Sequence, residues 1–375
     1  MREIPNWPDP SAHIARQRPD TATVYFCPAQ LQNTAQRFRT GFGGLVSYAV
    51  KANPGDEVLA NLVAAGITAF DVASPCEMYA VRAVCPNAVL HYNNPVRSPD
   101  EVTTAISLDV GSYSVDCMAE LDKLQDVPPG TEVSVRLALQ VSGAAYDFGE
   151  KFGAGPEKAA TILRAVADRG LTPAITFHPG TQCADPQAWE TYITASAQVA
   201  AAAGVQLSRL NVGGGFAAHR TGAAPDLERI FDRIKCQAAH VFGKDAPHLV
   251  CEPGRAMVAD SATLAARIKA IRPDGSIFLN DGIYGALAEA RDIGCPDRLT
   301  VLAPEGTRRE GAGKSHIVFG PTCDSLDRLP DPVHLPHDLR EGDYLLIGGM
   351  GAYAHSLSSR FNGYGPGDPV TVATI

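Results

Sequence analysis

Short runs of apolar, β-branched and aromatic residues recur along the first two thirds of the chain, with stretches of helical composition between them. The runs are 45–50 (LVSYAV), 67–72 (ITAFDV), 88–92 (AVLHY), 111–115 (GSYSV), 132–139 (EVSVRLAL), 174–177 (AITF), 208–212 (SRLNV) and 248–251 (HLVC). The segments between them are rich in Ala and Leu, as in 57–65 (EVLANLVAA) and 187–203. Near-continuous apolar strands alternating with helices predict a parallel sheet buried on both faces. Eight such units predict a closed (β/α)8 barrel, placed here over residues 28–255.

After Arg255 the helical spacing fades and β-rich runs separated by Gly and Pro take over. They are 263–271 (TLAARIKAI), 276–280 (SIFLN), 299–303 (LTVLA), 315–319 (SHIVF), 343–347 (DYLLI) and 370–375 (VTVATI). This pattern predicts a second, mostly antiparallel β domain over 256–375. The early run 21–27 (TATVYFC) precedes the barrel and supplies a further strand, so 20–27 is grouped with the second domain. The polar, Gly-rich stretch 304–314 (PEGTRREGAGK) reads as a flexible loop.

Composition narrows the classes of function. The chain has 375 residues, 45% of them hydrophobic, and a formal charge of −9 with both signs spread along it. There is no basic run or basic-aromatic patch, which argues against nucleic acid as a partner. No apolar run has the length of a membrane span, and the start MREIPNWPDP lacks the apolar core of a signal peptide. Nine cysteines, an odd number with no C-x-x-C pair, argue against a disulfide framework or a structural metal site. The expected compartment is the reducing cytoplasm, with most cysteines expected to be buried as small apolar residues.

The polar residues collect where the predicted strands end. The first strand runs into Lys51, the second carries Asp71 and the fifth carries Arg136. The sixth ends in His178-Pro179-Gly180-Thr181, the seventh in Gly213-Gly214-Gly215, and the eighth in Glu252-Pro253-Gly254-Arg255. In a barrel these ends share one face, where active sites are assembled. A lysine at a buried strand end either reaches water or becomes a nucleophile for carbonyl carbon. Bare glycine backbone after the seventh strand suits a phosphate, with Arg255 adding charge, or else is a tight turn. Glu252 either pairs with Arg255 or sits against a pyridine nitrogen, and His178 is either a stacking group or an ordinary core histidine. A carbonyl-trapping lysine, a phosphate grip and a ring-nitrogen carboxylate are the parts that hold pyridoxal 5′-phosphate (PLP).

Seven ordered motifs carry a family resemblance: YAVKAN (48–53), FDVAS (70–74), FHPGTQ (177–182), NVGGGF (211–216), EPGRAMV (252–258), GPTCDSLD (320–327), and GAY (351–353) with the later FNGY (361–364). Together they resemble the fold-type III PLP-dependent decarboxylases, above all the ornithine/lysine group. The resemblance implies that Lys51 carries PLP covalently, His178 stacks on its ring and Glu252 binds the ring nitrogen. Thr181, Gly214, Gly215, Gly254, Arg255 and Tyr353 would hold the phosphate, and Asp71 and Arg136 would position Lys51 and the ring. It further implies a homodimer with its active sites at the interface, Cys323 and Asp324 reaching into the partner's site. Cys323 would return a proton after CO2 leaves, and Asp324, Asp292 and Tyr284 would meet the substrate. The implied reaction is decarboxylation of a basic L-amino acid, L-ornithine to putrescine or L-lysine to cadaverine, as in polyamine biosynthesis.

The sequence departs from the family in two places. Pro179 follows His178 where Val is usual. In 284–295 (YGALAEARDIGC), the spacing from Tyr284 to Asp292 is one residue short of the ornithine enzymes. Arg291, if it faced the substrate, would suit a carboxylate-bearing compound such as diaminopimelate or carboxyspermidine; otherwise it pairs with Glu289 or Asp292 at the surface. Two other readings share this barrel: a PLP racemase, which Cys323-Asp324 fits less well, and an inactive PLP-binding regulatory protein.

Overall fold

The computed structural model describes residues 7–140 and 151–375. Its backbone divides into two units: one of Met1–Thr34, Ala218–Ala224 and Val258–Ile375, the other of Ala35–Ala217 and Pro225–Met257. Strand β1 (Thr23–Phe26) belongs to the first. The next eight are β2 (Leu45–Ala49), β3 (Ala69–Val72), β4 (Val89–Tyr92), β5 (Ser112–Val115), β6 (Glu132–Arg136), β7 (Thr172–Thr176), β8 (Arg209–Asn211) and β9 (His248–Cys251). They close into a parallel barrel in chain order, with β9 pairing back to β2 through Leu45–Val250 and Val46–Cys251.

All eight strands expected from the apolar runs are present. β3 and β5 are buried along their whole length, including the polar Asp71, Ser112 and Ser114. The helices between them bury one stripe. In Leu227–Phe242 the buried residues are Leu227, Ile230, Phe231, Ile234 and Ala238, at the spacing of a single helix face. The helix Gln187–Ala203, weakly amphipathic in sequence, buries Trp189, Tyr192 and Ile193. Lys51 does not continue β2. It sits in a single 3₁₀ turn, Val50–Ala52, that takes the chain out of the strand.

The other unit is a seven-stranded, mostly antiparallel sheet. Its later strands are β10 (Ala262–Ile271), β11 (Ile277–Leu279), β12 (Leu299–Leu302), β14 (Val318–Phe319), β16 (Tyr344–Gly348) and β17 (Val370–Thr371). β13 (Gly313–His316) and β15 (Val333–Pro336) form a separate pair. β1 lies between β10 and β17, antiparallel to the first and parallel to the second. The run 315–319 is two strands, broken at Ile317, and 370–375 is a two-residue strand with a tail. Gly313 and Lys314, expected in a loop, pair with Pro336 and Leu335. A core of Val24, Leu264, Leu279, Val301, Leu345 and Ile347 fills this unit. Among the described residues no helix is long and apolar enough to cross a membrane.

Candidate active site

The barrel's C-terminal rim gathers Lys51, Asp71, Arg136, His178, the 213–215 glycines and Glu252–Arg255 on one unit. Lys51 Nζ lies 4.0 Å from Asp71 Oδ2. Its side chain is 49% exposed, so the strand does end by sending its ammonium into the open mouth and not into a dry core. Asp71 is buried, and burial raises its pKa while Lys51 beside it, a hydrogen bond with Asn93, and Arg136 lower it. Burial outweighs these neighbours, so the Asp71 pKa stands raised on balance, with Lys51 the strongest opposing influence.

Glu252 is buried at the end of β9. Arg255, one of the two partners the sequence offered, is not what holds it. The side-chain amides of Asn93 and Asn211 both donate to Glu252 Oε1. Oε2 accepts no hydrogen bond from the described residues. Burial pushes the Glu252 pKa up to about 8; nearby Asp71 adds to this, while Asn211, Lys51 and Arg136 oppose it. A cation or an N–H facing Oε2 would return the carboxylate to its ionised form.

His178 Nδ1 accepts the Gly180 N–H at 3.1 Å, which orients the ring. Burial and the positive charge of Lys51 and Arg136 hold His178 well below its usual pKa, so its ring is neutral. Thr181 stands half-buried in the turn after Gly180.

The glycine run has a local cause. Gly213 and Gly215 adopt left-handed backbone, with φ of 68° and 85°. A Cβ at Gly213 would lie 2.0 Å from the Phe177 carbonyl, at Gly215 2.3 Å from that of Gly180, and at Gly214 2.6 Å from that of Glu252. Close backbone packing therefore requires all three. The Gly213 N–H is taken by Asn211 Oδ1, whereas those of Gly214 and Gly215 donate to no described residue. A polar backbone group buried without a partner is costly, and an anion at this spot would satisfy both. Arg255, also buried, begins the next short helix, and Gly254 is pressed against Ala52 and Ala49 so closely that a Cβ would meet theirs at 3.2 and 3.3 Å. Two open N–H donors, an open carboxylate oxygen, a neutral imidazole and an exposed amine fit PLP group by group.

Glu77 is a residue the sequence reading passed over. Its Oε2 accepts the Ala73 N–H at 2.7 Å, and its own N–H is held by Ser74 Oγ. The S-P-C-E spacing at 74–77 is a capping-box signal that could have found it. It fixes the turn directly after Asp71.

The remaining candidates lie on the β unit. Tyr284 OH donates to Asp324 Oδ2, and the Leu326 N–H donates to Oδ1 at 2.9 Å. These bonds lower the Asp324 pKa, Leu326 contributing first and Tyr284 second, so the half-buried carboxylate stays charged. Cys323 is exposed, and its backbone N–H donates to Asn362 Oδ1 at 3.0 Å, which ties GPTCDSLD to FNGY. Beneath the turn the buried Asp327 accepts from Ile283 N, Thr322 N and Thr322 Oγ at 3.0, 3.0 and 2.7 Å. Asp292 forms an ion pair with Arg291 at 3.2 Å, and both are exposed. Tyr353 has left-handed backbone, φ 64°, in the same unit. Contrary to expectation only Cys27, Cys183 and Cys251 are buried; Cys76, Cys117, Cys236 and Cys323 are exposed.

Residues 28–259 match the family described as pyridoxal-dependent decarboxylase, pyridoxal binding domain. The chain is 32% identical to a lysine/ornithine decarboxylase of Selenomonas ruminantium over 85% of its own length and 81% of the relative's. It is 30% identical to the ornithine decarboxylase of Schizosaccharomyces pombe over 84% and 75%. The crystal structure of the Paramecium bursaria Chlorella virus arginine decarboxylase superposes with a TM-score of 0.84 at 24% identity, covering 96% of this chain and 97% of that one, a likeness of fold. With a barrel rim that fits the cofactor and a family match over most of the barrel, the chain belongs to the fold-type III pyridoxal-dependent decarboxylases of the ornithine/lysine/arginine group.

Proposed function

We propose that this enzyme decarboxylates a basic L-amino acid, L-ornithine or L-lysine, and releases putrescine or cadaverine. The observation that carries the choice of substrate is Asp324: a half-buried, charged carboxylate held in place by Tyr284 and the Leu326 N–H. A distal ammonium is its natural counterpart. Arg291 spends its charge on Asp292, which leaves no support for a substrate with a distal carboxylate. Relatives named lysine/ornithine and ornithine decarboxylase support the same choice.

When bound, PLP supplies an electron sink for the bond pair released as the substrate carboxylate leaves. Lys51 would hold the cofactor covalently, and Asp71, 4.0 Å away, would stabilise the ammonium of Lys51 whenever its Nζ is released. Glu252 Oε2 would meet the ring nitrogen, His178 would lie against the ring, and the N–H groups of Gly214 and Gly215 would take the phosphate, with Thr181, Gly254 and Arg255 completing that grip. Arg136 offsets the two buried carboxylates, Asp71 and Glu252. Cys323 gives its Sγ proton to the α-carbon once CO2 has gone.

We infer a homodimer in which Cys323 and Asp324 complete the partner's site. Leu326 is 70% exposed, and Phe361, next to the Asn362 that holds the Cys323 turn, is also open; exposed apolar residues beside a reactive turn suit a subunit contact.

The test is CO2 release over a panel of L-ornithine, L-lysine, L-arginine, diaminopimelate and carboxyspermidine. Ornithine or lysine should lead, and Asp324→Ala should raise KM for it at least tenfold, the scale of one lost charged contact. An unchanged KM would remove Asp324 from the distal site. Borohydride reduction of the PLP-loaded enzyme should place the pyridoxyl group on the Lys51 peptide.

A further inference from the structure

The two amides on Glu252 do more than satisfy a buried charge. Both converge on Oε1, although the carboxylate has two oxygens to offer. Each amide has a second engagement. Asn211 Oδ1 accepts the Gly213 N–H at 2.9 Å, so one side chain ties the glycine turn to Glu252. The Asn93 amide also favours the charged form of Asp71, so it links the lysine-facing carboxylate to Glu252. Asn93 is itself anchored, its carbonyl accepting Ser114 Oγ at 2.7 Å. Asn93, Asn211 and Glu252 are all buried, which makes these bonds strong and their geometry fixed.

We propose that Asn93 and Asn211 are positioning residues for cofactor recognition: by clamping Oε1 of Glu252 from two sides they leave Oε2 as the single oxygen aimed at the ring nitrogen. This rests on the reading of Glu252 as the ring-nitrogen partner. A carboxylate without the clamp can rotate about its last torsion, which is broad and two-fold, and offer either oxygen or none. Neutral amides suit the task because a lysine or arginine at either place would compete with the ring nitrogen for the charge of Glu252.

The experiment measures equilibrium binding of two probes to the cofactor-stripped full-length chain: PLP, and 1-deaza-PLP, in which a C–H replaces the ring nitrogen. Wild type should bind PLP more tightly than the deaza compound. Asn93→Ala should reduce that preference about tenfold, one hydrogen bond to a charged group, with deaza affinity within about twofold of wild type. In a Glu252→Gln background the same substitution should leave the preference unchanged. Asn93→Leu, similar in volume and without a donor, repeats the test if the alanine variant folds poorly. A wild-type preference that survives intact in Asn93→Ala and Asn93→Leu overturns the clamp. Equal loss of affinity for both probes overturns it too, because the residue then supports the fold of the rim and not the ring nitrogen. If wild type itself shows no preference, the assignment of Glu252 fails, and the clamp fails with it.

Discussion

Replacing Asp327 by alanine removes the acceptor beneath the Cys323–Asp324 turn. Three donors lose their partner together: Ile283 N, Thr322 N and Thr322 Oγ. The carboxylate is 1% exposed, so water does not take its place without rearrangement. A hydrogen bond to a charged group contributes about 1.5–3 kcal/mol, and a buried donor left unsatisfied costs about 1–3 kcal/mol. Contributions within one cluster do not add fully, so the expected loss is about 3–5 kcal/mol. For a unit of this size that is a fall in Tm of roughly 10 °C. Asp327→Asn keeps one oxygen acceptor and should lose about half as much. Urea denaturation followed by circular dichroism measures both. Turnover should fall with them, while PLP binding should persist because the Lys51 cluster is built on the barrel. If Asp327→Ala unfolds within about 0.5 kcal/mol of wild type, the three bonds do not hold the turn and this reasoning is wrong.

Gly213→Ala forces a Cβ to within 2.0 Å of the Phe177 carbonyl at a φ of 68°, so the barrel rim should distort and PLP affinity should fall at least tenfold in an absorbance titration. Glu252 binds a proton in the folded state that the unfolded chain releases at lower pH, so the cofactor-free protein should lose stability as pH rises from about 4.5 toward about 8. Glu252→Gln should flatten that slope, as should saturation with PLP; melting curves across this range decide it. Cys323→Ala should retain PLP binding and lower kcat about a hundredfold or more, with KM nearly unchanged, in a CO2-release assay. An equal loss through KM alone would remove Cys323 from proton delivery.

The barrel was legible because its short β-rich strands alternate with helical segments and because the residues at their ends are chemically out of place in a core. Lys51, Asp71 and Glu252 announce themselves by that conflict. Asn93, Asn211, Asn362 and Asp327 do not. Their work is to orient other groups, and an amide or carboxylate in a loop reads as turn chemistry until the atoms it meets are known. Arg255 beside Glu252 in sequence suggested an ion pair, yet chain neighbours at a turn need not face each other, and two residues from other strands hold the carboxylate instead. In the β unit, β15 (VHLP) went unread because its alternation of buried Val333, exposed His334 and buried Leu335 is flanked by prolines, which usually end a strand.

The Asp327 support carries a rule for redesign. A Cβ on Gly320 or on Gly282 would stand 2.2 Å from Asp327 Oδ1, so these three positions interlock and a change at one requires compensation at the others. Residues 323–326 sit on that lock without forming part of it through their side chains. With Cys323 kept for proton delivery, 324–326 can be exchanged as a cassette to retarget the enzyme, whereas libraries that also vary 282, 320 or 327 will fill with chains that fail to fold.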